Sequence, residues 1–465
     1  MNMAADSAKI QNASHYEKMT KTAIAPLIVK LSIPTILTML VTSIYNLADT
    51  AFVGRLGNSA SGAVGVVFAF MSIIQAFGFV FGQGAGSITA RLLGSHENEK
   101  ANIIASTGLF CSFACGLMIS LLAALFLDPL VRLLGSTETI LPYAKTYISY
   151  IMMAAPFMTS AFTMNQILRF EGHATFAMAG MMTGGILNII GDPILIFVFH
   201  MGIAGAGLAT AVSQFISFCI LLSMFLRHRS MVRLHPKYIT HDIKKISDIV
   251  GTGLPSMIRQ LLNSVSTMIL NGQAGFYGDA AIAGMSIVTR IIHFVFSVAL
   301  GMGQGFQPVS AFNFGAAKYK RVREAFRVTV MLAEAVMFVT VVLLLVKSGT
   351  LIRLFRDDPE VIRIGTRALR CQAVGVLFLP VSMVIEMLLQ STGNKLEASL
   401  LSCMRSGILF IPTLLILSKL RGLYGIEEAQ AVSFILAVIP SAYMAFRFFR
   451  KLPQEDKVPE GEKAR

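Results

Sequence analysis

The chain has 465 residues, 55% of them hydrophobic and 14% charged, with a formal net charge of +14 and a mean hydropathy of +0.68. A soluble globular chain carries about 25% charged residues, so composition excludes a soluble enzyme or binding domain and leaves a polytopic membrane protein. The positive balance does not point to nucleic acid: the basic residues cluster between apolar runs, no aromatics are interleaved with them, and the chain has no Trp.

The five cysteines, Cys111, Cys115, Cys219, Cys371 and Cys403, all lie in apolar runs and form no C-x-x-C pair. They read as small packing residues, with no disulfide frame or metal site expected. The first 26 residues are polar and lack the basic-then-apolar form of a cleaved signal peptide. The first span is therefore expected to direct insertion.

Apolar runs predict twelve membrane helices, near 27–53, 60–90, 101–127, 138–163, 174–199, 203–226, 247–272, 280–311, 325–347, 361–390, 396–418 and 426–449. The second and eighth runs are overlong for one crossing and are expected to tilt or extend past the membrane. The expected division is an N-terminal tail, 1–26; an N-lobe of six spans, 27–226; a basic linker, 227–246; a C-lobe of six spans, 247–449; and a C-terminal tail, 450–465. Lys and Arg set the orientation. The linker carries Arg227, Arg229, Arg233, Lys237, Lys244 and Lys245, and the tail Arg450, Lys451 and Lys457. Lys318, Lys320, Arg321 and Arg323 follow the eighth span. Both termini are thus expected in the cytoplasm. Arg353, Arg356 and Arg363, before the tenth span, break the rule.

The first span holds the most telling residue. Between Ile33 and Val53 the ionisable groups are Tyr45 and Asp49. A carboxylate at mid-membrane costs about 2.5–3.5 kcal/mol on insertion scales, so it is expected to face a protein interior or a watery cavity. In the fifth span, Asn188 and Asp192 are four residues apart, on one helix face. Pro193 removes a backbone donor and disfavours helix at Asp192, a suitable place for a proton or sodium ion. The sixth span offers Thr210 and Ser213 beside Gly202, Gly205 and Gly207, small enough for close helix approach.

The two halves lay over one another. Pro34 answers Pro255, an offset of 255 − 34 = 221, and the same offset carries Gly54 to Gly275 and Gly57 to Gly278. It also carries Gly82-Gln83-Gly84 to Gly303-Gln304-Gly305, Gly94 to Gly315, Arg132-Leu133 to Arg353-Leu354, and Gly172 to Gly393. A gap-free register of this length is an internal repeat. Six spans per half make the copies parallel. Asp49, Asn188 and Asp192 map to Leu270, Leu409 and Thr413. The shared frame does not require those polar groups, so they mark a site particular to the first half.

In the second half, Arg259 and Gln260 lie in the seventh span, Arg290 and His293 in the eighth, Glu334 in the ninth, Glu386 in the tenth and Arg405 in the eleventh. Glu386 either contacts a cationic substrate or pairs with an arginine. Tyr45, Asn46, Met153, Met181, Gln260 and Glu386 are the substrate-cavity candidates; flexible, polarizable methionines suit a surface that repacks around varied ligands. Pro34, Gly82, Pro193, Pro255 and Gly303 are the hinge candidates, since Pro and Gly are the usual points of helix bending.

The strings "NLADTAFVGRLG", "GQGAGSITARLLG", "LNIIGDPILIF" and "GLPS…GQGFQPVSAFNFGA" resemble the multidrug and toxin extrusion (MATE) family, most closely its bacterial DinF-like and MepA-like branch. The resemblance runs over residues 25–450. It implies an all-α membrane protein of twelve helices in two pseudo-symmetric six-helix lobes, a parallel repeat of inverted-V form. It implies no enzyme and no cofactor, but a monomeric antiporter in a bacterial inner membrane, exporting bulky organic cations or amphiphiles against H+ or Na+. In that branch the ion site matches Asp49, Asn188, Asp192 and Thr210 here, with Na+ at Asp49 and Asp192 as one form of it. Another branch places carboxylates in the seventh and tenth helices; Arg259 and Gln260 depart from that pattern, while Glu386 keeps its place. Two rivals are weighed. A flippase for lipid-linked or polysaccharide precursors, from the same superfamily, should line its cavity with cationic groups. An intramembrane aspartyl protease using Asp49 and Asp192 lacks a Gly-x-Gly-Asp context at either residue.

Overall fold

With no water in the hydrocarbon core, a chain this apolar must satisfy its backbone within each segment. The computed structural model, which describes residues 14–456, is helical throughout and has no strand among the described residues. Residues 1–13 and 457–465, Lys457 among them, lie outside the described residues. A short helix, α1 (14–21), precedes α2 (Ile24–Gly54), α3 (Asn58–Gly94), α4 (Asn98–Leu125), the brief α5 (Leu127–Leu133) and α6 (Leu141–Phe170). Then come α7 (Ala174–Pro193) with a π-helical turn at Ile194–Val198, and α8 (Ile203–Leu226). The second half runs through α9 (Ile243–Gly275), α10 (Asp279–Gly315), α11 (Tyr319–Phe355), α12 (Pro359–Val376) and α13 (Leu379–Thr392). It ends with α14 (Lys395–Cys403), a π-helical turn at Met404–Ile408, α15 (Phe410–Arg421) and α16 (Leu423–Lys451).

Nine spans among the described residues are long and apolar enough to cross a membrane singly, and α12 with α13 forms a tenth, bent by 47°. Pro380 sits in the first turn of α13, where the chain resumes after the break at Leu377 and Phe378. Helices α6 and α9, of 30 and 33 residues, are long enough to cross but less apolar; α9 carries Lys244, Lys245, Asp248 and Arg259. The overlong second and eighth runs are single 37-residue helices, α3 and α10. At 1.5 Å per residue each is about 55 Å long, well beyond a hydrocarbon core of ~30 Å.

The chain forms two compact units. Among the described residues, the first takes 14–18 and 37–257, the second 19–36 and 258–456. The opening half of α2 thus belongs to the second unit, and the opening half of α9 to the first. The changeovers fall after Ile36 and after Met257, and 257 − 36 = 221, the repeat offset. Each comes two residues beyond Pro34 or Pro255, both of which lie inside unbroken helices.

Glycine makes both exchanges sterically feasible. In the first unit, a Cβ on Gly84 would lie 1.9 Å from the Ile249 carbonyl oxygen, and one on Gly253 1.8 Å from that of Val80. In the second, a Cβ on Gly301 would lie 2.8 Å from the Ile36 Cα, and one on Gly305 2.7 Å from the Ser32 Cα. The Ser32 hydroxyl donates to the Met302 carbonyl at 3.4 Å. Gly82 and Gly303, expected as bending points, sit in unbroken helix. A Cβ on Gly82 would meet the Gln166 side chain at 2.7 Å, and one on Gly303 the Met387 Sδ at 2.4 Å. Their local reason is close packing.

Each half ties down the chain that leaves it. Asn102, at the start of α4, accepts the Arg233 N–H at 2.8 Å; the Ser106 and Thr107 hydroxyls accept those of His235 and Thr240. Arg323, the repeat mate of Asn102 (323 − 102 = 221), donates to the carbonyls of Phe449, Leu452 and Pro453. Two of the three arginines that break the positive-inside pattern have acidic neighbours. Arg353 lies 3.5 Å from Asp357, and Arg363 lies 3.7 Å from Glu360. Exposed pairs of this kind add little stability, but they offset the local charge that the rule, counting Lys and Arg alone, leaves out.

Candidate functional site

Four helices of the first unit converge on a buried polar chain: α2 brings Asp49, α6 Tyr147, α7 Asn188 and Asp192, and α8 Thr210. Small residues allow the approach. The backbone of the π turn after Pro193 passes so close to α8 that a Cβ on Gly205 would lie 2.8 Å from the Leu195 carbonyl. A Cβ on Gly191 would touch that of Ala209 at 3.3 Å, next to Thr210. Gly207 leaves room for the Tyr147 ring, whose Cδ2 lies 3.2 Å from where a Cβ would stand.

Donor arithmetic orients the chain. The Asn188 amide has two hydrogens; its Nδ2 donates to Asp192 Oδ1 at 3.3 Å and to Thr210 Oγ1 at 3.0 Å. Thr210, already accepting, is left to donate across 3.2 Å to the Tyr147 hydroxyl. Tyr147 spends its one hydrogen on Asp49, whose two oxygens both lie 3.1 Å away. Every donor has a place, and the two carboxylates stand at opposite ends of one continuous line.

The ends differ. Asp192 is 0% exposed and Asn188 3%. Asp192 Oδ2 and Asn188 Oδ1 are buried acceptors with no hydrogen-bond partner in the structure. An unmet buried polar group costs about 1–3 kcal/mol, more if charged. Asp49 is half-buried and borders a recess shared with Asn46, Tyr147 and Thr210 on its polar side and Phe68 and Met71 on its apolar side. The space admits about one water-sized species. Carboxylate, amide and hydroxyl oxygens are a ligand set for a hard cation or a proton. No cluster of three or more His, Cys, Asp or Glu that would hold a transition metal occurs among the described residues.

The structure therefore brings Asp49, Asn188, Asp192 and Thr210 together and adds Tyr147, which the sequence reading missed. The repeat held the signal: the offset maps Tyr147 to Ala368 and Thr210 to Ala431, the same loss of polarity that marks Asp49 and Asn188. The remaining candidates are scattered. Tyr45 and Asn46 border the recess. Met181 accepts from the Ser217 hydroxyl at 3.9 Å, and Met153 is 73% exposed. Gln260 is half-buried in the second unit. Glu386, left open between substrate contact and pairing, is wholly buried and pairs with both Arg259 and Arg405. Of the hinge candidates, Pro193 closes α7 at the π turn.

Two helical units on one repeated plan, with a carboxylate line inside one of them, define a duplicated helical membrane protein. The MatE family model matches the chain twice, over residues 34–194 and 255–416, again at an offset of 255 − 34 = 221. The chain belongs to the MatE family. It is 27% identical over 372 residues to the multidrug export protein MepA of Staphylococcus haemolyticus, covering 80% of this chain and 82% of the relative. MepA of Staphylococcus saprophyticus is 26% identical over the same shares. Among solved structures, an outward-facing multidrug resistance MATE family transporter of the MOP superfamily superimposes with a TM-score of 0.89 at 25% identity, covering 93% of this chain and 98% of that one. A MOP superfamily transporter from Pyrococcus furiosus, described as having a binding pocket of reverse polarity, gives 0.88 at 25% identity, covering 94% and 98%.

Proposed function

We propose that this protein is a secondary antiporter that exports bulky, mostly cationic or lipophilic compounds from a bacterial cell in exchange for H+ or Na+. The family membership and the MepA relatives support export of drug-like molecules. The line from Asp192 through Asn188, Thr210 and Tyr147 to Asp49 is the observation that carries the coupling.

A cation or proton arriving at the recess beside Asp49 neutralises one end of the line. Charge loss there releases the Tyr147 hydrogen, and the donors of Thr210 and Asn188 redistribute towards or away from Asp192. The unmet Asp192 Oδ2 and Asn188 Oδ1 give the inner end reason to take up a proton or a cation as well. Either event changes how α2, α6, α7 and α8 are held together. Coupling then requires that ion and cargo favour different states, since a ligand binding both states equally shifts neither. The membrane potential adds ~2.3 kcal/mol per charge per 100 mV.

The rival of the same superfamily, a flippase for lipid-linked precursors, is less well supported: the polar line of the first unit is acidic, and the relatives are named for multidrug export. The test is efflux of a fluorescent organic cation from everted vesicles, with pH and sodium gradients imposed separately. One gradient should drive efflux, and the Asp192→Asn variant should lose it. In proteoliposomes, drug accumulation that is undiminished in both Asp49→Asn and Asp192→Asn would overturn the reading.

A further inference from the structure

The second unit buries a charge cluster of the opposite sign. Arg259 from α9, Glu386 from α13 and Arg405 from the π turn are 5%, 0% and 4% exposed. Glu386 Oε1 accepts from Arg259 Nη1 at 2.5 Å and from the Ser402 hydroxyl at 2.6 Å. Its Oε2 lies 2.8 Å from Arg405 Nη2. One carboxylate therefore answers two guanidinium groups, which stay charged in proteins, and the cluster carries +2 − 1 = +1. Among the described residues, Glu386 is the one carboxylate paired with Arg405. Arg405 Nη1 and Nη2 and Glu386 Oε2 are buried with no hydrogen-bond partner in the structure; the 2.8 Å contact between the latter two is an ion pair only, and Nη1 faces no carboxylate among the described residues.

An unbalanced buried charge is strongly unfavourable, and burial is tolerated where partners complete both the charge and the hydrogen bonds. Here the donor that lacks a partner belongs to one of two buried guanidinium groups that share a single carboxylate. A π turn, a form that is frequent at functional sites, presents it. The geometry points to a binding site for a small monovalent anion, held by Arg405 with Arg259 beside it. The site lies in the second unit, separate from the acidic line of the first, and does not rest on any reading of what that line couples. A free halide and the carboxylate of a small organic anion share the chemistry that the guanidinium reads.

The experiment is a melt of the purified full chain, without organic substrate, at constant sodium and ionic strength. The chain has no Trp, so unfolding is followed by circular dichroism. Chloride, bromide and acetate are each titrated against gluconate, which is too bulky for an enclosed site. A specific anion should raise the midpoint saturably, by on the order of 2 °C at ten times its half-saturating concentration. A rise with chloride and bromide assigns the site to halide, and a rise with acetate alone assigns it to carboxylates. The Arg405→Gln variant should lose the rise. Because that variant leaves Glu386 Oε2 without its ion pair and is at risk of misfolding, Glu386→Gln is the second arm. Removing the competing carboxylate should lower the half-saturating concentration about tenfold, a gain that general destabilisation does not produce. A midpoint equal in all four anions overturns the proposal, as does a rise that survives undiminished in Arg405→Gln. In bromide-soaked crystals, an anomalous peak within hydrogen-bond reach of Arg405 Nη1 is expected; none there also overturns it.

Discussion

At the scale of single residues, the polar line depends on Tyr147 more than on either acid. Its hydroxyl bonds to both Asp49 and Thr210 and so joins the two ends. Phenylalanine keeps the ring against Gly207 and removes only the oxygen. Tyr147→Phe should therefore fold normally, leave Asp49 without its donor, and cut ion-driven efflux about tenfold, the scale of one lost hydrogen bond to a charged group. Tyr150→Phe, on the same helix and also against Gly207, is the control and should transport normally. Equal efflux by all three forms would remove Tyr147 from the coupling path. The acids were legible in the sequence because charge inside an apolar run is rare. The tyrosine was not, because an aromatic residue there is ordinary. It becomes legible only through the repeat, which gives an alanine at the matching place. The partners of Glu386 were half legible: arginines stood in the right spans, but spacing cannot say which of them converge on one carboxylate.

At the scale of elements, the exchanged half-helices explain the second glycine of each G-Q-G motif. Gly82 and Gly303, which the sequence suggested as bends, pack against side chains, whereas at Gly84 and Gly305 backbone passes within what would be a Cβ radius. Close approach between residues as far apart in the chain as Gly84 and Ile249, or Gly305 and Ser32, is tertiary information that no local pattern holds. Gly253→Ala should push α9 off α3 and destabilise the protein by about 3 kcal/mol, the upper range for overpacking, with backbone rather than a movable side chain in the way. Gly65→Ala, on α3 with nothing within 4 Å of its Cβ position, should be neutral or stabilising. Midpoints of the two variants that coincide would discard the packing account. The short helix α1 supplies a second case. His15 is 7% exposed, its ring 4.9 Å from that of His173, and its neighbour Tyr16 stacks on His96 at 4.3 Å. Burial above all, then His173 and Lys18, push its imidazole from the ordinary 6.5 down to about 3, against a hydrogen bond to the Glu171 backbone that raises it. The buried Glu171 carboxylate, engaged by Ser230 and the Met231 and Val232 N–H groups, faces His173 as well. Docked His15 is thus neutral. Above pH 6.5 the docked and free forms bind protons alike, and nothing is lost. As pH falls from 6.5 towards 3, only the free form gains a proton, and docking weakens by about 2 kcal/mol at pH 5. Hydrogen exchange over residues 14–21, corrected for intrinsic rates, should speed up between pH 7.5 and pH 5 in the native protein and not in His15→Gln. Unchanged protection across that range would count against the docked, neutral histidine.

At the scale of the whole molecule, chain order and compact units disagree, and the disagreement obeys the repeat. Hydropathy gave twelve spans and an even division near the basic linker, because it sees each span alone. It could not show that residues 19–36 complete the second unit and residues 243–257 the first, an exchange of equivalent segments within one chain. This predicts how the protein behaves when cut. Severed after Thr240, beyond the bonds of the linker to Asn102, Ser106 and Thr107, the front fragment lacks 243–257 and the rear fragment lacks 19–36. Each missing piece fills a groove floored by glycine, where a Cβ on Gly84 or Gly305 would strike the incoming backbone. Lipid cannot fill such a groove at that distance, so neither fragment should form its unit alone. Expressed singly, both should give sharply reduced yields of monodisperse protein. Expressed together, they should co-purify at equal stoichiometry through one affinity tag and melt as one species, since each supplies the strip of helix the other requires. Two halves drawn strictly by sequence would instead fold independently, and a single fragment purifying alone with a cooperative melt would show that the exchanged strips are dispensable.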